Sequence, residues 1–486
     1  MGACRRLTIL KQILRGARYQ RSRHVQAVFG QRCDIRGVTR HIAILLACVC
    51  ISGCATSLRD RAWLDRQVRD RTGASTCSHA NDTLPPDVRI EDGVDEAEVV
   101  SIALCRNPAL RAELARIVAA FATLNEANRP ANPQLSMMGP IGPIAAVATL
   151  LVPLESLWQM PSRSEAAARE ADVAGEAVLM RALELVRDAR LLHVELGLAT
   201  DRALVRAELA RVAAEVARIA SVRAAVGDIG SMEERVLAAD ARTSTDASDL
   251  AETEVAMARA RLIATLALDA DPASPLQATF WNRVTTPPGL RDLIAVARVA
   301  RPDARAAELA ISAATSRAGW ERTRILSFGA LVETQWNQPG GPALRLGGRA
   351  ELPLFGANPG GVGRAEAEVE RATAQHEVIA RTVIMEVMLA HARFEQAMRS
   401  RQLLESDVIP ALDTALAMAR HGFETGDQAY LVVLDVLRRT SEARLRRAEL
   451  IAEQRRALAE MERAIGARLA SASDVAARAR AERGTP

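Results

Sequence analysis

The chain has 486 residues, of which 49% are hydrophobic, 25% charged and only 3% aromatic. Those fractions exclude wholesale disorder and argue against a β-sandwich, an aromatic-stacking nucleic-acid binder or a polytopic helical membrane protein. The formal charge of +4 misleads: residues 1–53 hold ten basic residues and the single acid Asp34, and without them 53 basic residues face 58 acidic ones, a balance of −5 that gives no reason to expect a nucleic-acid partner.

In chain order, the first signal is an apolar run over 42–51 behind Arg40 and His41. It is about half the length of a spanning helix and fits the core of a signal peptide. It ends in Ile51-Ser52-Gly53-Cys54, which resembles a bacterial lipobox: a branched apolar residue, two small ones, then the cysteine that receives the lipid. The sequence therefore predicts lipidation at Cys54, and Ala55 in place of Asp implies outer-membrane sorting by analogy. The basic stretch ahead of the run is long for a signal peptide. Val25, Val28 and Val38 are candidate alternative starts, so that 1–37 is read as a mis-assigned beginning. Behind this leader only Cys54, Cys77 and Cys105 remain. Cys77 and Cys105 are an even pair in an oxidising compartment, which permits a disulfide without establishing one.

From about residue 97 the chain repeats itself. Asn107-Pro108 and Arg301-Pro302 each open a helix, Val152-Pro153-Leu154 recurs as Leu352-Pro353-Leu354, and Val226-Gly227-Asp228 recurs as Thr425-Gly426-Asp427. Each half reads as a helix, a segment punctuated by Pro and Gly, a long helix, a Gly-Asp turn and a returning helix. Ser164 to Val226 contains no proline. Arg364 to Glu424 contains Pro410, which should kink or divide its helix. The returns are expected near 231–268 and 429–470. Apolar residues at three- and four-residue spacing, such as Leu183, Val186 and Ala189, predict packing against other long helices.

The segments before the long helices follow another rule. Residues 328 to 336 and 344 to 352 alternate apolar and polar with period two, around a Gln338-Pro339-Gly340-Gly341-Pro342 turn. In 344–352 the charged positions are Arg345, Arg349 and Glu351. This hairpin suits either a membrane barrel, with those three side chains in the lumen, or a half-buried soluble sheet. The counterpart over 133–152 is ambiguous: 144–152 is apolar on both faces apart from Thr149, so a hairpin and a short helix both remain open.

Taken together, these features resemble the TolC-type outer-membrane efflux channels, the outer-membrane factors of tripartite export systems. The resemblance covers about 54–470, and its most specific piece is the run from Gly426-Asp427 through Tyr430-Leu431 to Leu434-Asp435. It implies a mainly α chain with a small β part. Each protomer of a homotrimer would give four strands to a twelve-stranded outer-membrane β-barrel, continued by an α-helical tunnel through the periplasm. It also implies a periplasmic adaptor (membrane fusion) protein and an inner-membrane transporter, RND type first, as partners beside outer-membrane lipid. The alternative is a pore-less coiled-coil scaffold lipoprotein. The chain then divides into a leader (1–53), a lipid-anchored segment (54–96), two repeats (97–275 and 276–470) and a tail (471–486).

The resemblance places the tips Val226, Gly227, Asp228, Gly426 and Asp427 at the periplasmic mouth. They are either adaptor docking points or plain turns. It aligns Asp435 with an acid that narrows that mouth, against the plainer reading of a solvated helix Asp. The second acid common in such channels is replaced here by Val432. His193 and His391 match across the repeat and read as helix-packing positions or tunnel lining. Gly356 to Arg364 lacks the Gly-Lys-Ser/Thr ending of a phosphate loop. No cofactor, metal cluster or nucleophile motif is found, so the reading is a channel and not an enzyme.

Overall fold

The computed structural model describes residues 61–77, 84, 88, 90, 92–139, 146–268, 276–324, 327–336, 343–351, 356, 358–425 and 427–472. Ten α-helices, one π-helical turn and four strands are described over that range. The first half runs α1 (Arg61–Thr72), α2 (Glu96–Arg106), α3 (Pro108–Ala127), β1 (Gln134–Met138), β2 (Ala146–Pro153), α4 (Glu155–Ala225) and α5 (Ser231–Leu266). The second half runs α6 (Leu290–Ala300), α7 (Pro302–Thr323), β3 (Ser327–Trp336), β4 (Ala343–Glu351), α8 (Pro359–Leu403), a π-helical turn (Leu404–Val408), α9 (Ile409–Thr425) and α10 (Tyr430–Ile465).

The duplication extends into the core. Val99, Ile102 and Ala103 of α2 pack with Ala189 and Leu196 of α4 and with Leu262 and Leu266 of α5. In the second half Leu293, Val296 and Ala297 of α6 pack with Val387 and Phe394 of α8 and with Met461 and Ile465 of α10. The offsets are 194 for the short helices, 198 for the long ones and 199 for the returns. Each half therefore buries the same three-helix stripe, and helix packing rather than propensity holds these long elements in place. The junctions ahead of Pro108 and Pro302 are alike too. Asn107 Nδ2 donates to the Thr265 carbonyl at 2.8 Å, and the buried Arg301 Nη1 donates to that of Ala464 at 3.2 Å. Both acceptors are carbonyls that the end of a return helix leaves open. The two returns stop on left-handed residues, Ala267 (φ 50°) and Gly466 (φ 68°).

Helix α4 is 71 residues long, about 105 Å at ~1.5 Å per residue. It starts upstream of Ser164 and runs through Pro161, whose missing N–H leaves the Leu157 carbonyl without its helical donor. In the second half the proline effect is larger. Immediately before Pro410 the helix widens into the π-helical turn Leu404–Val408, which relieves the clash of the ring with the preceding turn. Across the repeat, His193 is fully buried, with Nε2 3.0 Å from the Val94 carbonyl oxygen, whereas His391 is only partly buried. The pair is equivalent in sequence and unequal in environment.

The strands form one antiparallel sheet in the order β1-β2-β3-β4. The segment 146–152, ambiguous in sequence, is a strand: β2 pairs with β1 (Leu150 opposite Leu135) and with β3 (Leu150 opposite Val332). Among the described residues, no helix is long and apolar enough to cross a membrane.

Candidate functional site

Register sorts the sheet into two unlike faces, because directly opposed residues of an antiparallel pair point the same way. One face carries Leu135 and Met137 of β1, Ala148, Leu150 and Val152 of β2, Phe328, Ala330, Val332 and Trp336 of β3, and Leu344, Leu346 and Ala350 of β4. Thr334 is its one hydroxyl-bearing residue, and it holds no charge. Much of this face is open: Met137 is 72% exposed, Leu344 66% and Leu346 79%. The other face is mixed. It carries Ser136, Thr149, Glu333, Gln335 and the three charged residues of β4, Arg345, Arg349 and Glu351, beside Leu151 and Leu331. Arg345 lies 3.7 Å from Glu333, and Ser327 Oγ donates to Glu351 Oε2 at 3.1 Å. Among the described residues of one chain, no strand lies beside the outer edges of β1 and β4.

At the far end of the long helices the first tip is compact. Gly227 is left-handed (φ 81°), a conformation that favours glycine. The Asp228 N–H donates to the Arg223 carbonyl at 2.9 Å, and the Arg223 guanidinium meets Asp228 Oδ2 at 2.5 Å. Val226 beside them is 77% exposed. At the second tip Gly426 lies outside the described residues. There Thr425 Oγ1 donates to Asp427 Oδ2 at 2.9 Å, and the Gln428 N–H donates to the Gly422 carbonyl at 3.0 Å. Tyr430, the first residue of α10, is buried against Ala220 and Leu237, which ties the second tip to the first-half helices. Burial, aided by the charge of Asp240, pushes its hydroxyl up to about 12.

Asp435 sits five residues into α10, exposed, with Oδ2 2.9 Å from Arg439 Nε. The sequence reading singled out the acid and passed over its partner, although an acid four residues ahead of an arginine on a helix is a readable signal. Cys77 and Cys105 lie with their Sγ atoms 1.97 Å apart and Cα atoms 4.7 Å apart, linking the segment after α1 to the end of α2. Cys54 lies outside the described residues. No group of three or more metal-ligating side chains is found among the described residues.

No family model matches the chain. The cobalt-zinc-cadmium resistance protein CzcC of Cupriavidus metallidurans is 28% identical over 155 residues, 30% of this chain and 36% of that protein. The chain thus aligns with about a third of that relative's length. Among solved structures, CusC, reported for conformational changes accompanying folding and transmembrane channel formation, superposes with a TM-score of 0.65 at 18% identity over 80% of this chain and 96% of that one. The CmeC outer membrane channel of Campylobacter jejuni gives 0.66 at 15% identity over 81% and 89%. The chain therefore has the fold of the bacterial outer-membrane channels.

Proposed function

We propose that this chain is the outer-membrane channel of a tripartite efflux pump: a homotrimer, lipidated at Cys54, that provides a passive conduit across periplasm and outer membrane. The observation that carries the reading is the uncharged, exposed face of the β1–β4 sheet. A face of that kind suits lipid, and lipid forbids the two open edges that a lone four-stranded sheet would present. Three copies remove the edges by closing a twelve-stranded barrel, with Arg345, Arg349 and Glu351 turned to its lumen. The long helices then extend the conduit about 105 Å away from the membrane.

At their far end the tips Val226, Gly227, Asp228, Gly426 and Asp427 are offered to a periplasmic adaptor. Exposed Val226 supplies apolar area, and the Arg223–Asp228 pair fixes the turn. An inner-membrane transporter, RND type first, drives the assembly. Asp435 narrows the entrance, and Cys77 and Cys105 form a disulfide that secures the segment leading from the lipid anchor. The chain carries out no chemistry of its own.

The test is made on purified protein. Trimers that resist dissociation in SDS until heated, together with discrete conductance steps in planar bilayers, support the reading. A monomer or helical oligomer without conductance would make the chain a scaffold lipoprotein instead.

A further inference from the structure

A cleft of about 760 Å³ opens where the segment after α1, α2, α4, the 280–285 loop and α10 meet, away from the sheet and the tips. Its floor is ionic. Arg190 and Arg455, with side chains only 12% exposed, both pair with Glu96, and Arg190 also pairs with Glu462. These two carboxylates are thereby spent on the floor. The third acid of the lining, Asp95, is spent as the N-cap of α2, accepting from the Glu98 N–H. Arg455 Nη1 donates to the Arg283 carbonyl at 2.7 Å, yet its buried Nε has no hydrogen-bond partner. Burial lowers the pKa of Arg455, opposed by the charge of Glu462. That Nε is sealed from the cleft, and the cations that the lining exposes are Arg283 and Arg468, which have no carboxylate partner among the described residues.

The rim is aromatic and cationic. Phe280 is left-handed (φ 51°), unusual for a bulky side chain. Its neighbour Trp281 is buried against α4, with its ring where a Cβ on Gly197 would stand, only 2.2 Å from Trp281 Cγ. The chain therefore seats one ring in the core and holds the next at the mouth of the cleft, 57% exposed. The Arg283 guanidinium lies 3.9 Å from the Phe280 ring centroid.

We propose that this cleft binds a small aromatic carboxylate, its charge received by Arg283 and Arg468 and its ring lying against Phe280. No step of the channel reading requires this site. Its lining is drawn from residues far apart in the sequence, and its size is that of a small-molecule pocket.

The full chain in detergent is titrated calorimetrically with benzoate and, as an uncharged near-isostere, with benzamide. Benzoate should bind in the millimolar range or tighter, and about tenfold better than benzamide. Phe280→Asn keeps a residue that tolerates the left-handed backbone while removing the ring. It should weaken benzoate about fivefold or more and leave the thermal midpoint unchanged or raised. Arg283→Gln should largely remove the preference for benzoate over benzamide. Equal affinities for the two probes in the wild type, absence of benzoate binding, or wild-type benzoate affinity in the Phe280→Asn protein would each overturn the proposal.

Discussion

Arg345 on β4 and Glu333 on β3 are opposed in register, and their charged groups approach to 3.7 Å on the face of the sheet that carries every charge the strands possess. A pair this exposed contributes at most about 1 kcal/mol. Its meaning is geometric: a one-residue slip of β4 would carry Arg345, Arg349 and Glu351 to the face now occupied by Leu344, Leu346 and Ala350. Register is thus set by the demand that one face stay free of charge.

That demand is measurable at two adjacent positions. Val332 is on the uncharged face and Leu331 on the other. Val332→Arg should reduce assembly or stability in lipid by about 2–4 kcal/mol if the residue lies near the bilayer midplane. Leu331→Arg should be tolerated better, since it joins a face that already holds arginines. The yield of heat-resistant trimer and the urea midpoint in vesicles report both. Equal losses in the two variants would remove the distinction between faces.

Much of this architecture is legible in the sequence because its signals are periodic. The return helices, expected near 231–268 and 429–470, are found as Ser231–Leu266 and Tyr430–Ile465. Gly-Asp turns precede them, at Gly227-Asp228 and Gly426-Asp427, and apolar residues keep helical spacing along them. Pro410 announces a break, and the π-helical turn is the form it takes. The strand over 146–152 is obscure because Val147 and Leu151 are apolar on the mixed face, leaving Thr149 as the only mark of a second side. Pairing with β3, 176 to 190 residues away, is what decides it. The cleft beside α2 is not legible at all, since Glu96, Arg190, Phe280 and Arg455 share no motif and meet only through the fold.

The link between Cys77 and Cys105 closes a loop with a sequence separation of 28. Loop-closure entropy at that length gives about 3–4 kcal/mol of stabilisation. Replacing both cysteines with serine should lower the urea midpoint, and dithiothreitol should move the wild type in the same direction while leaving the double variant where it is. Two titratable thiols in unfolded, unreduced wild-type protein would show that no bond forms.

His193 ties folding to pH. Burial lowers its pKa from 6.5, against the opposing hydrogen bond to the Val94 carbonyl, the charge of Asp95 and the Thr279 backbone. The folded protein therefore binds a proton at this site less readily than the unfolded chain. Its contribution is fully present above 6.5 and is lost as pH falls through the lowered folded value. His193→Gln, which retains a donor for Val94, removes the titration. The midpoint difference between wild type and variant should favour the wild type most at pH 8 and shrink towards pH 5. A constant difference over that range would mean that His193 keeps the same charge state in folded and unfolded chains.

At the proposed gate Asp435 is paired with Arg439. Asp435 follows Tyr430, the buried anchor of the second tip, by about 8 Å along α10. Its partner Arg439 is 65% exposed and it is itself 58% exposed, so the bond between them is weak and easily exchanged for another. In a closed trimer three such carboxylates would gather near the axis and repel one another unless cations or hydrogen bonds intervene. Asp435→Asn should raise the resting conductance of trimers in planar bilayers and reduce both cation preference and block by divalent ions. Asp435→Glu should preserve them. Arg439→Ala makes the opposite change, freeing the carboxylate of its neighbour, and should strengthen cation preference. A purely local ion pair would give a different pattern: both single variants would lose a little helix stability, about 0.5 kcal/mol or less, and neither would alter ion selectivity. The sign of the Arg439→Ala effect therefore decides whether Asp435 acts across the trimer axis or only along its own helix.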